Sequence, residues 1–363
     1  AENELRPHAE AWDREATFPR AVVDKLGELG FLGMLLPEEW EGLGLDAGTY
    51  LIALEEIARG DASVAVAMSV HNALPTSMIL AHGSDAQKER WLKPMARGEL
   101  LGGFALSEAD AGSDSASLSA QARKVDGGWV LDGAKAWITN GGFGDVMVAM
   151  ARTDTPEDRC RAKGIGAFII PTGTPGYVVG KKEDKMGQRA SETVGIAFQE
   201  MFVPDDLLLG DPSMGFIYAL QGLDNGRMGI AALALGIAQA ALEHALGYAA
   251  ERHQFGHAIR DFQGMQFKLA DMATRVEASR GLLHRAAAVK EAGRKASSIA
   301  SMAKLFASEA AMYVTTEAIQ VFGGYGYVKE YPVEKLFRDA KVTEIYEGTS
   351  EIQRTVIARE LYR

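Results

Sequence analysis

The sequence predicts an α+β protein of several domains: an all-α domain over residues 1–101, a β domain over 102–211 and a C-terminal four-helix bundle over 212–363. Three observations support this prediction. Apolar residues recur at helical spacing near the N-terminus, short apolar runs between turn residues fill the middle, and long proline-free helical patterns fill the remainder. At 363 residues, the chain is long enough for two or three domains.

The N-terminal part has the spacing of helices joined by short loops. Leu26 and Leu29 are three residues apart on one helical face, and Gly30 ends that run. An Ala- and Val-rich helix follows, with Asp61 or Ser63 as its predicted N-cap. We therefore expect a helical domain before residue 102.

The middle of the chain has the pattern of short strands. Glycine- and proline-containing turns, including Asp132-Gly133, separate its apolar runs. The runs are 129–131, 136–138, 146–148, 167–170, 177–179 and 196–198. Many short strands with no helices between them are typical of a small antiparallel barrel or sandwich.

The last third is helical throughout. Proline-free patterns cover 227–251, 263–292 and 295–322, and another helix follows Glu347. Four helices of this kind predict a four-helix bundle. A cleft between the β domain and the bundle is where we expect a large ligand to bind.

Composition limits the partners and the location. The formal net charge of −11 argues against nucleic acid or an anionic membrane, because both bind clustered positive charge. Cys160 is the single cysteine, and no export signal opens the sequence; both features predict a cytoplasmic location. The uncharged run 228–242 is shorter than the roughly 20 apolar residues of a membrane span, so we interpret it as a buried helix of a soluble protein.

Residues 345–354 (IYEGTSEIQR) are the strongest candidate for a catalytic segment. Glu347 lies just before a predicted helix, where it can act as a positioned base. Gly348 allows close approach of the backbone to a ligand, and Thr349 or Ser350 can cap the helix. Taken alone, the same residues fit an ordinary capped helix with a solvated glutamate.

Two further motifs lie in the β domain. Residues 104–114 (FALSEADAGSD) offer backbone amides and the Ser107 and Ser113 hydroxyls to a phosphate or to ring heteroatoms, although such loops are often only turns. In residues 135–142 (KAWITNGG), Trp137 and Thr139 project to one face of a strand. A flat ring could stack near the indole, and the alternative is a core tryptophan.

Three motifs lie in the C-terminal third. Asp224 and Arg227 come near the expected start of the first long helix, where Asp224 can cap and Arg227 can orient a carboxylate. Residues 252–256 (RHQFG) and 320–326 (QVFGGYG) suit a pyrophosphate or adenine, or equally two helix ends. No metal-ligand spacing, Walker motif or Gly-x-Ser-x-Gly elbow occurs in the sequence.

In this order, the motifs at 104–114, 135–142, 252–256, 320–326 and 345–354 resemble those of the acyl-CoA dehydrogenases. The resemblance covers essentially the whole chain, and the segments 181–187 and 345–354 look most like the short-chain, butyryl-CoA type. It implies an N-terminal helical domain, a middle antiparallel β-barrel and a C-terminal four-helix bundle. It also implies a flavoprotein with bound FAD.

The resemblance assigns a set of residues to FAD. They are Phe104, Leu106, Ser107, Ser113, Trp137, Thr139, Arg252, Phe255, Gln263, Gln320, Gly324, Thr349 and Glu351. Those from Arg252 to Gly324 would reach the FAD of a neighbouring subunit, which implies a homotetramer built as a dimer of dimers.

The resemblance also implies the reaction. Glu347 would remove the α-proton of an acyl-CoA thioester while the β-hydride passes to the flavin, giving a trans-2-enoyl-CoA. The substrate contacts would be Ser113, Asp224, Arg227, Tyr346 and Gly348. Electrons would then pass to an electron-transferring flavoprotein.

Several alternatives remain within and outside this family. Isovaleryl- and long-chain-type members carry the base at the position of Gly226, glutaryl-CoA members need a basic residue where 63–70 has none, and nitroalkane oxidases carry aspartate instead of Glu347. A short acyl chain is expected, with a medium or branched chain as the alternative. An oxygen-using oxidase and a catalytically silent scaffold of the same fold are the remaining alternatives.

Overall fold

The computed structural model describes residues 1–154 and 162–362, so Cys160 lies outside the described part. Six helices come first: α1 Ala9–Glu15, α2 Arg20–Glu28, α3 Ala47–Gly60, α4 Ala62–Ala73, α5 Pro75–His82 and α6 Asp85–Ala96. Side chains cap three of them. Asp46 accepts a hydrogen bond from Thr49 N, Asp61 accepts one from Val64 N, and Ser84 forms a capping box with Gln87. Of the two predicted caps for α4, Asp61 is therefore the one used.

Eight strands follow and form one sheet. They are β1 Gly102–Ala105, β2 Gln121–Val125, β3 Gly128–Thr139, β4 Val146–Arg152, β5 Ile165–Pro171, β6 Tyr177–Lys182, β7 Thr193–Pro204 and β8 Leu208–Leu209. Their order is β6-β7-β3-β2-β4-β5-β8, with β1 beside β4. All seven residues of β4 are buried, which explains why its first six residues are apolar; the seventh, Arg152, is a buried arginine.

The sheet differs from the expected antiparallel barrel in two ways. β1 pairs with β4 in parallel, Phe104 opposite Val148, because the β2–β3 hairpin intervenes before the chain returns in the same direction. The second difference is that the pairing order of the described strands has two ends, β6 and the two-residue β8, so these strands form an open sheet instead of a closed barrel. The prediction of a turn at Gly133 is also wrong, since Gly133 lies inside β3, a single strand of 12 residues.

The C-terminal third contains five helices and a short hairpin. The helices are α7 Gly215–Glu251, α8 Gln263–Glu291, α9 Ser297–Phe322, α10 Val333–Lys341 and α11 Ser350–Leu361, and the hairpin joins β9 His253–Gln254 to β10 His257–Ala258. The helix predicted after Glu347 is α11, and the short α10 precedes it. The expectation that Asp224 caps the first long helix is wrong, because α7 begins at Gly215 and Asp224 lies inside it.

Glycines on α7 allow other segments to approach its backbone. A Cβ at Gly229 would lie 2.5 Å from Ser69 Oγ, and one at Gly236 would lie 2.4 Å from the Glu55 carbonyl oxygen. Both contacts are too close for any larger residue. The N-terminal helices α3 and α4 therefore pack directly on this face of α7.

Two helical segments, Ala62–His82 and Gly215–Glu251, are long and apolar enough to cross a membrane by length and composition alone. Counting only residues 228–242 missed this, because α7 extends further in both directions. Most of each segment is buried inside the fold, as in the core helices of water-soluble proteins.

A buried charge cluster joins the three parts of the chain. Lys335 Nζ on α10 donates to Asp339 Oδ2 at 2.7 Å and to Asp61 Oδ2 at 3.1 Å. The backbone N–H of Gln188, which follows β6, donates to Asp339 Oδ1. Burial alone disfavours the ammonium, but the two carboxylates raise the pKa of Lys335 above its ordinary value. Lys335 therefore stays charged, whereas burial raises the pKa of Asp339 above its ordinary value and the lysine opposes that rise. Their pairing holds α4, α10 and the segment after β6 together.

We expect Lys335→Met to destabilise the protein by about 3–5 kcal/mol, because it leaves two buried carboxylates without their cation. The urea midpoint of unfolding measures the effect. Lys341→Met is the matched control on the same helix, since Lys341 is exposed and pairs with the neighbouring Glu344 rather than with a buried group. It should cost less than about 1 kcal/mol. Equal midpoints for the two variants would contradict the importance of the buried cluster.

Candidate active site

Glu347 lies at a sharp turn between a 3-10 turn, Val342–Glu344, and α11. Its φ is +51° and that of Gly348 is +93°, so two consecutive residues have left-handed backbone. This conformation is uncommon for a residue with a side chain and costs roughly 1–3 kcal/mol, and such residues cluster at functional sites. Thr349 caps α11 by accepting a hydrogen bond from Ile352 N at 3.3 Å.

Two side chains hold the carbonyl groups of this turn. Gln353 Nε2 donates to the Gly348 carbonyl at 2.8 Å and to the Glu347 carbonyl at 3.2 Å. From α9, Lys304 Nζ donates to the same Gly348 carbonyl at 2.8 Å. A Cβ at Gly348 would lie 2.7 Å from Gln353 Nε2, so close contact as well as the backbone angle favours glycine.

The carboxylate of Glu347 lies directly on α7. A Cβ at Gly226 would be only 1.8 Å from Glu347 Oε2. This oxygen is buried and has no hydrogen-bond partner among the described residues. Burial raises the pKa of Glu347 to about 7, and the charges of Lys304 and Arg227 oppose part of that rise. The group is therefore able to exchange a proton near neutral pH.

Arg227 lies close enough to influence the ionisation of this carboxylate, and Arg227 and Asp224 are both inside α7. Arg227 is buried, and its Nη1 donates to Asp224 Oδ1 at 2.5 Å. Asp224 Oδ2 also accepts from the Ser297 hydroxyl at 2.6 Å. Arg227 Nε is buried and has no partner within the described part of the chain, which leaves this donor of the guanidinium available.

Tyr346 connects the turn at Glu347 to the middle of the chain. Its hydroxyl accepts a hydrogen bond from Gln188 Nε2 at 3.2 Å, and Gln188 also contacts Asp339 of the buried charge cluster. Burial raises the pKa of Tyr346 above its ordinary value, so the hydroxyl stays protonated. The turn at Glu347 is thus attached through Gln188 to the buried charge cluster.

The motifs at 104–114 and 135–142 meet at β1 and β3. Lys135 Nζ pairs with Glu108 Oε1 at 2.8 Å, and both side chains are buried. Ala136 N donates to the Ser107 carbonyl at 2.9 Å. Sequence reasoning missed the Glu108–Lys135 pair, which fixes the two motifs against each other; its signal was a charged residue within each motif.

Trp137 is not a core residue. It is 64% exposed with φ +63°, at an irregularity in the pairing of β3 with β7. Ile138 is buried and Thr139 is half-buried. Because strand alternation is interrupted at Trp137, the expectation that Trp137 and Thr139 share one face stays a prediction. Phe104 and Ser107 are half-buried, Leu106 is buried, and Ser113 is exposed.

A cavity separate from the surroundings of Glu347 lies near the C-terminal end of α9, and we call it the second cavity. It has a volume of about 940 Å³, and Arg252, Phe255 and Gly324 are among its lining residues. Phe255 is 92% exposed. Gln263 and Gln320 do not line this cavity, although each is a chain neighbour of a residue that does. Lys304 and Gln320 are 16 residues apart on α9, about 24 Å along the helix, so the cavity is distant from Glu347.

Within residues 1–154 and 162–362, no group of three or more His, Cys, Asp or Glu side chains could hold a metal ion. Sequence reasoning missed two polar groups at the site, Lys304 and Gln353. Lys304 lies on an alanine-rich helical face with Ala300, Ala303 and Ala307, and a lone lysine on such a face was the available signal.

Comparisons with known proteins place the chain in one family. The model of the acyl-CoA dehydrogenase N-terminal domain matches residues 1–99, that of the middle domain matches 103–201, and that of the C-terminal domain matches 213–362. The mitochondrial short-chain specific acyl-CoA dehydrogenase of Rattus norvegicus is 51% identical over 363 residues, covering all of this chain and 87% of the relative.

Solved structures agree. Butyryl-CoA dehydrogenase from Megasphaera elsdenii is 43% identical with a TM-score of 0.97, covering 100% of this chain and 95% of that one. A chain described under "Electron transferring flavoprotein of Acidaminococcus fermentans: Towards a mechanism of flavin-based electron bifurcation" is 44% identical with a TM-score of 0.97, covering 100% and 94%. A glutaryl-CoA dehydrogenase from Mycobacterium smegmatis in complex with FADH2 is 32% identical with a TM-score of 0.94, covering 99% and 91%.

Three domain models match the chain, a relative shares about half of its residues, and the fold is shared with solved structures. These findings agree with the motifs around Glu347. The chain belongs to the acyl-CoA dehydrogenase family of oxidoreductases.

Proposed function

We propose that this protein oxidises a short-chain acyl-CoA to the trans-2-enoyl-CoA, with Glu347 as the base that removes the α-proton. One observation carries the proposal: Glu347 presents a buried, unpartnered carboxylate oxygen against Gly226, and burial raises the pKa of this group to about 7. Several relatives are named short-chain specific, which supports a short acyl group.

The surroundings of Glu347 suit proton abstraction next to a thioester carbonyl. Such a proton is weakly acidic, so the base must be desolvated and held in place, and hydrogen bonds must stabilise the carbonyl oxygen. The left-handed turn at Glu347 and Gly348 supplies backbone N–H groups for this purpose, and Arg227 supplies a buried charge beside the carboxylate. Ser113, Asp224 and Tyr346 are the other proposed substrate contacts.

FAD is the proposed cofactor and, when bound, supplies the acceptor for the hydride. The residues at β1 and β3 fit such a group, because Trp137 is an exposed aromatic ring and Phe104, Ser107 and Thr139 of the same two motifs are half-buried. Arg252, Phe255 and Gly324 around the second cavity fit its phosphates or adenine. The complete proposed set is Phe104, Leu106, Ser107, Ser113, Trp137, Thr139, Arg252, Phe255, Gln263, Gln320, Gly324, Thr349 and Glu351.

We also propose a homotetramer in which the second cavity serves a neighbouring subunit. Its large separation from Glu347 along α9 supports this assignment, as does the exposure of Phe255 and Tyr327, at 92% and 87%. Domain bounds of 1–101, 102–211 and 212–363 belong to the same proposal, supported by the ranges of the matched domain models.

An electron-transferring flavoprotein is the proposed electron acceptor, supported by the Acidaminococcus structure whose description names one. A cytoplasmic location remains a prediction. The mammalian relatives carry "mitochondrial" in their names, whereas the Bacillus, Clostridium and Megasphaera relatives do not.

We expect Glu347→Gln to retain FAD and acyl-CoA binding but to slow flavin reduction by about 10²–10⁴-fold, because an amide cannot accept the α-proton. Anaerobic bleaching of the flavin by acyl-CoAs of different length and branching measures the rate and ranks the substrates. Glu309→Gln, at an exposed glutamate on α9, is the control and should behave as wild type. Wild-type bleaching by Glu347→Gln would exclude Glu347 as the base. A colourless protein that takes up no FAD would favour a silent scaffold.

We expect Gly226→Ala to slow flavin reduction about tenfold or more, because the new Cβ would displace Glu347 Oε2 from its position 1.8 Å away. Alanine is the better helix former by about 1 kcal/mol, so helix propensity does not explain a loss. Gly247→Ala is the matched control on α7, since a Cβ there meets nothing within 4 Å. Equal rates for both variants would contradict the close approach of Glu347 to α7.

Glu347 should also make stability depend on pH. Its pKa is raised from 4.5 to about 7 in the folded protein, so the folded state binds the proton more tightly. The stabilising effect is complete below pH 4.5 and is lost as pH rises through 7. We therefore expect Glu347→Gln to gain unfolding temperature relative to wild type as the pH is raised from about 5 to about 8, measured at saturating FAD. A difference that stays constant with pH would contradict the raised pKa.

A further inference from the structure

Lys304 is a buried lysine that the proposed reaction does not use. Its side chain lies on the face of α9 that faces the turn at Glu347 and has no exposed surface. Lysine is almost never fully buried unless its charge is compensated, because removing an ammonium from water costs several kcal/mol. Because the neighbouring residues Ala300, Ala303 and Ala307 are apolar, an apolar residue at position 304 would be accommodated more easily than a lysine.

The contacts of the ammonium all concern the turn that carries Glu347. Nζ donates to the Gly348 carbonyl at 2.8 Å, the same oxygen that receives Gln353 Nε2. The charge lies close enough to Glu347 to influence its ionisation, yet Glu347 Oε2 has no hydrogen-bond partner among the described residues. Glu347 Oε2 therefore stays free to accept a proton.

We propose that Lys304 is a positioning residue for Glu347, which fixes the left-handed turn through the Gly348 carbonyl and places a compensating positive charge beside the buried carboxylate. The inference rests on the proposed role of Glu347 as the base. It assigns two separable effects to one side chain: a hydrogen bond that sets the geometry and a charge that sets the proton affinity.

The geometric effect follows from the strain in the turn. Glu347 and Gly348 both have positive φ, and this backbone persists only where its surroundings determine it. Lys304 from α9 and Gln353 from α11 hold the same carbonyl from two helices. Without Lys304, only the contact from α11 remains, and α11 begins within the turn itself.

The electrostatic effect follows from the charges around the two groups. Four charged side chains influence Lys304: Glu347, Glu344, Arg227 and Glu351. Glu344 is paired with Lys341, Arg227 is paired with Asp224, and Glu351 is exposed to solvent. Of the four, Glu347 has the largest influence on Lys304. Tyr50 and Tyr346 also face Glu347, and burial raises the pKa of both above the ordinary value, so neither supplies charge.

The charge of Lys304 changes the pKa of Glu347 in a known direction. Burial lowers the pKa of Lys304 to about 8, so the ammonium remains mostly charged at neutral pH. Its positive charge lowers the pKa of Glu347, opposing the rise that burial causes. Removal of the charge should therefore move the proton affinity of Glu347 upward and leave less of the base ionised at neutral pH.

Three substitutions separate the two effects. Lys304→Met removes both charge and donor, Lys304→Gln keeps a donor without charge, and Lys304→Arg keeps both. We expect the pH at which flavin reduction is half-maximal to rise by about one unit in the Met and Gln variants, a roughly tenfold lower rate at low pH. The Arg variant should keep the wild-type midpoint. At high pH, Lys304→Gln should be faster than Lys304→Met.

Lys290→Met is the matched control. Lys290 is a half-buried lysine on α8 whose pKa burial also lowers, and its influencing neighbour is Glu291 rather than Glu347. This variant should keep the wild-type pH profile. A lysine with only a structural role would change stability or the overall rate without moving the pH midpoint.

A second measurement needs no turnover. The gain in unfolding temperature that Glu347→Gln produces at about pH 8 should be larger in the Lys304→Met background than in the wild-type background. An unchanged pH midpoint together with an unchanged gain would overturn the role of Lys304, even while Glu347→Gln still blocks reduction. Wild-type reduction by Glu347→Gln would instead overturn the proposed base itself.

Discussion

The candidate site depends on how closely Glu347 approaches α7. A carboxylate can lie against a helix backbone only where the helix residue has no side chain, and Gly226 provides that position. The approach removes Oε2 from water and brings the pKa of the carboxyl to about 7. Close packing of α3 and α4 on Gly229 and Gly236 offsets the low helix propensity of these glycines.

Much of the fold could be predicted because hydrophobic spacing is a local property. The predicted ranges 263–292 and 295–322 agree closely with α8 and α9, and Asp61 caps α4 as one of two expected residues. Family motifs then directed attention to Glu347 and Trp137. Their neighbours Thr349 and Arg227 also lie where the motifs led us to expect them, at a helix cap and beside the carboxylate.

The remaining features depend on contacts between distant segments. Gly133 has the composition of a turn, but pairing with β7 keeps β3 continuous through it. The glycines at 222 and 226 would weaken an isolated helix. In the fold, however, they pack against a neighbouring helix and against Glu347, and α7 begins before them, at Gly215. Lys304 on α9 and Gln353 on α11 are far apart in the sequence, and only the fold brings both side chains to the Gly348 carbonyl.

The contact between Gly226 and Glu347 also constrains how this site can change over evolutionary time. By the family resemblance, position 226 is where isovaleryl- and long-chain-type members are expected to carry their base. Here a single added carbon would occupy the space of the Glu347 carboxylate. A glutamate cannot be introduced at 226 while Glu347 remains in place. Transfer of the base between the two positions would therefore require a lineage to lose one carboxylate before gaining the other, or to change both together.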